Sequence, residues 1–170
     1  MKKALVLLLF VVGLFPFSAM AAGPLVKFQG GIGVIPVSSA PGPALVAETV
    51  NRNIVRGVQP PGQIWVIADL RADVKADGRI RVDGRGLLLG GGNNIGGNAN
   101  ASVFATLICE AVAPFTERNT DLAGVPLEPN GDFRIDDVLN PAPPDDCASP
   151  VLLIRNANGQ AWFAAGIVKD

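Results

Sequence analysis

The chain has 170 residues, a formal charge of −1 and 49% apolar residues, enough for one hydrophobic core and, by length, one domain. Only 17% of residues are charged, while 20 Gly and 14 Pro make up a fifth of the chain, against a usual ~12%; this excludes a coiled coil or a charged disordered tail and points to short strands joined by many turns. With no His and two Cys, Ser-His-Asp triads, Cys-His dyads, His-ligated zinc and Cys-only zinc or iron–sulfur sites are all excluded.

The first 21 residues read as a secretory signal peptide. Lys2 and Lys3 precede an uncharged run over 4–17 that contains Gly13 and Pro16, and Ala19-Met20-Ala21 is a small-x-small cleavage site. The run is too short for a spanning helix, which needs about 20 apolar residues. Cleavage after Ala21 leaves a domain over 22–170, and the twin-Lys start suggests a bacterial protein in the periplasm or the medium. Removal of two lysines leaves twelve basic residues against fifteen acidic ones, or −3. That total predicts no basic face of useful size, no nucleic-acid partner and no stable membrane insertion after cleavage. Cys109 and Cys147 would then meet an oxidising compartment and form one disulfide; CxxC redox spacing is absent.

Beyond the leader, residues 22–43 are glycine-rich and punctuated by Pro24, Pro36, Pro41 and Pro43. Segments 25–29 and 32–37 read as short edge strands, because Pro cannot donate to a ladder; 50–58 is a third strand candidate. Over 64–75, Ile64, Val66, Ala68, Leu70, Ala72 and Val74 alternate with Trp65, Ile67, Asp69, Arg71, Asp73 and Lys75, the period of a half-buried strand. A second alternating run starts at Arg79 and Ile80. Between them Ala76-Asp77-Gly78 is a three-residue connector ending in a left-handed Gly. It predicts the pairs Val74 with Ile80 and Ala72 with Val82 on one face. On the other face it predicts Asp73 with Arg81, Arg71 with Asp83 and Asp69 with Arg85. A slip by two residues would set like charges against each other, and a slip by one would turn the polar face inward, so this ladder fixes register.

Residues 90–100 (GGGNNIGGNAN) form a Gly/Asn loop. Residues 101–113 fit a helix face through Val103, Phe104, Leu107, Ile108 and Ala111, but the β-branched content favours a buried strand. The turn Pro129-Asn130-Gly131 leads into a strand over 132–138, and 141–150 is a proline-rich loop. Segments 151–155 and 160–167 form a closing hairpin around Asn158-Gly159, with Arg155 facing Trp162 as a candidate cation–π pair.

Two constellations stand out as candidate sites. Asn93, Asn94, Asn98 and Asn100 make the Gly/Asn loop a candidate for binding a sugar, an anion or a partner, although it lacks the Lys-Ser/Thr of a P-loop and does not match GxGxxG. Asp132, Asp136 and Asp137 lie along one strand, and Asp145 and Asp146 just before Cys147. If the disulfide draws the two groups together, their oxygens are of the kind Ca²⁺ takes. The same carboxylates are the candidates for glycoside hydrolysis, which needs two acids ~5–9.5 Å apart in a cleft.

The pieces GQIWVIADL, GNNIG, VFATLIC, GDFRIDDVL, CASPVLLIRN and WFAAGI make residues 57–167 resemble small exported bacterial proteins of no assigned function, which implies an all-β secreted domain. A fainter likeness to chordin-type (CHRD) domains rests on Phe28-Gln29-Gly30-Gly31 and Val34-Ile35-Pro36-Val37; the His-containing segment usual there is absent. The expected fold is a single antiparallel β-sandwich, immunoglobulin-like or jelly-roll-like, of about eight to ten short strands. The expected function is a non-catalytic binding or structural module outside the cytoplasm, with an unknown protein or glycan partner. The alternatives are a carboxylate-dependent hydrolase of extracellular glycan and a strand-exchanging subunit of a surface assembly.

Overall fold

The computed structural model describes residues 22–41 and 47–169; the expected leader lies outside them. Thirteen strands follow in chain order: β1 (Pro24–Gly33), β2 (Val37–Pro41), β3 (Ala47–Arg52), β4 (Trp65–Val66), β5 (Asp69–Lys75), β6 (Arg79–Arg85), β7 (Leu88–Leu89), β8 (Ser102–Ile108), β9 (Arg118–Asn119), β10 (Val125–Pro126), β11 (Phe133–Val138), β12 (Val151–Asn156) and β13 (Trp162–Val168). No helix forms among the described residues, and none is long and apolar enough to cross a membrane.

The main sheet runs β10-β8-β12-β13-β1-β5-β6-β11, with β9 also on β8, and every pairing is antiparallel. It curls until its ends nearly meet. Asn119, which follows Arg118 on β9, exchanges two backbone hydrogen bonds with Asn140 just beyond β11 (3.0 and 2.8 Å), and Asp121 N–H donates to Asp137 Oδ2 at 2.8 Å. The two halves therefore face each other across one core, the sandwich-like arrangement the turn spacing predicts. From one half Phe28, Leu70, Val74, Ile80, Val82 and Ile135 point inward; from the other come Val103, Ala105, Leu107, Leu152, Ile154 and Ala164. β8 and β12 are buried on both faces, their outer side covered in part by the segment before β9, whose Glu117 Oε2 accepts from Arg155 Nη1 at 2.6 Å; on β13 beside them, Trp162 Nε1 donates to Asn53 O at 2.9 Å.

The hairpin of β5 and β6 has the register the charge pattern dictates, from Asp69 opposite Arg85 to Val74 opposite Ile80. Gly78 takes φ +87°, and its N–H closes on Lys75 O at 3.0 Å. The ion pairs, however, run mostly along strands rather than straight across: Arg71 Nε to Asp69 at 3.2 Å and Lys75 Nζ to Asp73 at 3.0 Å. Long side chains lie more easily beside their own strand neighbour two positions on. Gly84 on β6 stands opposite Phe133 on β11, whose ring fills the space a side chain would take.

Four other expectations are corrected. Segments 25–29 and 32–37 are not edge strands: residues 24–33 form one strand, β1, with a bulge between Phe28 and Gly31, and it sits between β5 and β13. Pro24 opens the strand and Pro36 lies beyond it, so neither breaks the ladder. The candidate strand over 50–58 ends at Arg52; beyond it the chain bends back in a Val55–Val58 bridge. The alternation from Ile64 to Val74 is two strands with opposite phase. Trp65 is 4% exposed while Ile64 and Val66 are 40% and 47%, because the larger indole takes the buried place and stacks on Phe163. Arg155 is the backbone partner of Trp162 as expected, but its guanidinium lies over Phe104, 5.2 Å from the ring centroid. The ambiguous 101–113 segment is the buried strand β8 as far as Ile108.

Candidate functional site

The disulfide Cys109–Cys147 is present, with Cα atoms 4.7 Å apart, and fits a non-reducing compartment. It ties the proline-rich loop to the end of β8, and Ser149 N–H adds a hydrogen bond to Cys109 O at 3.1 Å. Nearby, Arg118 is buried and grips Glu110 through Nη2 at 2.8 Å. That hydrogen bond holds the Glu110 carboxyl at about 2, well below the usual carboxylate range.

The five acids proposed from sequence do not converge. Asp132 Oδ1 accepts from Gly86 N–H at 3.0 Å and its Oδ2 from Asn130 Nδ2 at 3.1 Å, locking a turn. Asp137 is occupied by the backbone N–H groups of Asp121 and Val138, each at 2.8 Å. Asp136 stands on the outer face opposite Arg81, and Asp145 and Asp146 point to solvent. Among the described residues no group of three or more His, Cys, Asp or Glu is placed to hold a metal ion. The reason is the strand period: Asp136 and Asp137 leave opposite faces of β11, so adjacent acids in sequence separate in space.

The Gly/Asn loop is different. Leu89 N–H donates to Gly97 O at 2.9 Å, Gly96 N–H to Leu89 O at 2.8 Å, and Gly90 N–H to Ile64 O at 2.9 Å. These bonds fold the loop back on β4 and β7. Asn98 is structural, its Nδ2 donating to the carbonyls of Leu127 and Glu128 at 3.1 and 3.0 Å and its Oδ1 accepting from Asn100 N–H at 3.0 Å. Asn93 and Asn100 are exposed beside it. Asn94 alone of the four borders an open groove of about 410 Å³.

Three distant stretches build that groove. Pro61-Gly62-Gln63 and Trp65 form one wall, Asn94, Ala99 and Ala101 another, and Asn156, Asn158 and Ala161 of the last hairpin the third. Its base is the Trp65–Phe163 stack, with ring centroids 3.9 Å apart and planes 12° from parallel. No charged side chain lines it. Gln63, Asn94 and Asn158 hold their amides in solvent. The third wall is held from below by Arg155, whose Nε donates to Gln160 O at 2.8 Å and whose Nη1 donates to Glu117 Oε2 at 2.6 Å. This buried fork fixes the hairpin tip that carries Asn158. Sequence reasoning missed Gln63, Asn156 and Asn158; the only signal was the Asn158-Gly159 turn, which marks a hairpin and not a rim.

No protein-family model, curated protein or solved structure matches the chain. The reading of the site therefore rests on its own geometry.

Proposed function

We propose that this chain is an exported, non-catalytic binding module, freed by cleavage after Ala21 into the periplasm or the medium, whose groove holds an uncharged polar ligand of the neutral oligosaccharide class. The observation that carries the reading is the groove itself: primary amides from Gln63, Asn94, Asn156 and Asn158 around an apolar base, with no carboxylate, nucleophile or cation in the lining. Asn156 accepts from Asn158 N–H through Oδ1 at 3.2 Å and keeps its Nδ2 to donate, while Gln63, Asn94 and Asn158 each offer a donor and an acceptor side by side. A sugar presents hydroxyls that do the same, and a neutral lining imposes no cost for burying an unpaired charge. The preformed concavity and mixed lining are those of a small-molecule site. The disulfide, the leader pattern and the resemblance to small exported proteins support the location.

Titration of the mature protein with a panel of neutral oligosaccharides, followed by amide chemical shifts, tests this. Saturable shifts should cluster at residues 61–65, 94–101 and 156–163. Asn94→Ala with Asn158→Ala should weaken binding roughly tenfold or more, since each hydrogen bond contributes about 0.5–1.5 kcal/mol, with the melting temperature essentially unchanged. Shifts elsewhere, or affinity indifferent to both substitutions, would refute the assignment.

A further inference from the structure

A net charge of −3 for residues 22–170 suggests no basic surface, but the fold sorts the charges. Eight of the twelve lysines and arginines beyond residue 21 sit on or beside one sheet face, the outer side of β1, β5, β6 and β11, with Lys169 at its margin. The other four are spent elsewhere. Arg118 and Arg155 are buried in ion pairs, Arg56 lies over the Phe115 ring, and Arg52 bonds to Gln59 and Pro60 O. Five aspartates share the face, so it carries about +3 while the rest of the molecule carries about −6. Strand alternation causes the sorting, because every second residue of these strands is apolar and turned inward.

Register arranges the cations in two oblique stripes. Arg85, Arg71 and Lys27 step across β6, β5 and β1, each displaced by one same-face position; Arg134, Arg81 and Lys75 do the same across β11, β6 and β5. Strand spacing and rise put successive cations roughly 8 Å apart. Asp83 and Asp73 lie between the stripes, but Arg81 and Arg134 reach Asp83 only at 3.8 and 3.9 Å. Arg71 and Lys75 make closer contacts, at 3.2 Å to Asp69 and 3.0 Å to Asp73, but each engages one nitrogen of a side chain open to solvent; such surface pairs contribute little and leave N–H groups unspent. A shallow depression of about 380 Å³ opens between Lys27, Arg71, Arg81 and Lys169, four cations against the carboxylates of Asp73 and Asp83.

We infer that this face binds a polyanion, and specifically an acidic polysaccharide whose repeated carboxylates lie along a cationic stripe. Guanidinium forks match carboxylates. No aromatic side chain stands on the face to stack a nucleic-acid base. Most of the exposed apolar residues that a bilayer would take up, such as Ile64, Val66 and Ile95, lie outside β1, β5, β6 and β11; Val138 opposite Arg79 and Ile32 near the end of β1 are isolated and do not form an apolar patch. The site is separate from the neutral groove and does not rest on that reading.

The test is anisotropy titration of labelled oligogalacturonate with the mature, oxidised protein at about 20 mM salt, where screening is weak. Arg71→Gln with Arg85→Gln, both exposed positions, should weaken binding at least tenfold. The variant with Arg52→Gln, a cation off the face, should stay within about twofold of the parent protein, and the groove variant lacking the Asn94 and Asn158 amides should bind unchanged. Affinity should fall steeply as salt rises. Absence of saturable binding would overturn the inference, as would an equal loss from Arg52→Gln, which would mean net charge and not the face is read. Tighter binding to a DNA oligomer or to phosphatidylglycerol vesicles than to the uronate would overturn the choice of polysaccharide.

Discussion

Gly84 offers the sharpest test of how the core is specified. It faces inward on β6, directly opposite Phe133, and its φ is not in the left-handed region, so an alanine would meet no backbone strain. The obstacle is the ring. A Cβ at this position would lie 2.9 Å from Phe133 Cδ1 and closer still to Cε1 and Cζ. Ordinary carbon contacts need about 3.5–4.0 Å, so a side chain only 5% exposed would have to retreat by roughly 1 Å or more within a packed interior. Overpacking of that kind costs about 1–3 kcal/mol, against a gain of about 0.5–1 kcal/mol that alanine brings over glycine within a strand. Gly84→Ala should therefore destabilise by about 1–2 kcal/mol. Phe133→Ala alone should cost about 3–5 kcal/mol. In the Phe133→Ala background the obstacle is gone, and adding Gly84→Ala should become neutral or stabilising. The resulting coupling of about 2 kcal/mol is readable in a double-mutant cycle by urea unfolding of oxidised protein at constant m. If the two substitutions add independently, the ring does not fill the glycine's place and the reasoning fails.

Two further outcomes follow from the covalent and electrostatic links. Replacing Cys109 and Cys147 by Ala opens a loop of sequence separation 38, which in the chain-entropy treatment removes about 4 kcal/mol; a midpoint in urea unchanged by reduction would refute that. Glu110 titrates at about 2 when folded because of its hydrogen bond to Arg118, from an ordinary 4.5. Its contribution is thus fully present above pH 4.5 and is lost as pH falls toward 2. Discounted for the solvent that reaches Glu110, whose side chain is 27% exposed, it should amount to about 1–2 kcal/mol. Glu110→Gln should flatten the stability–pH curve across that window, and an unchanged slope there would remove the pair from the acid response.

The parts of the fold legible in sequence are those where local chemistry and tertiary demand agree. Ala76-Asp77-Gly78, flanked by alternating charge, defined a hairpin and its register outright. Asn130-Gly131 before Phe133 defined another strand entry. Reading failed where packing overrode pattern. Trp65 took the buried place from Ile64 and Val66 because the indole had Phe163 to stack on, 98 positions away. β1 looked like an edge because of its prolines, yet only its neighbours in space decide that. The candidate site failed for the same reason. Asn94 was visible in an Asn-rich loop, but Gln63, Asn156 and Asn158 join it only once three separate connections meet. The cationic face was hidden because a summed charge carries no information on which side of a strand each residue leaves.

The neighbours of β1 carry a consequence for how the chain matures. β1 is hydrogen-bonded on one side to β13, with Phe28 opposite Val168, 140 positions further on. The intervening strands must be in place before β1 has both of its neighbours, β5 and β13. Contacts of such sequence separation form slowly, so β1 keeps one edge unpaired until β13 docks beside it. Deleting β13 should leave distant β1, and not only its sequence neighbour β12, with an open edge.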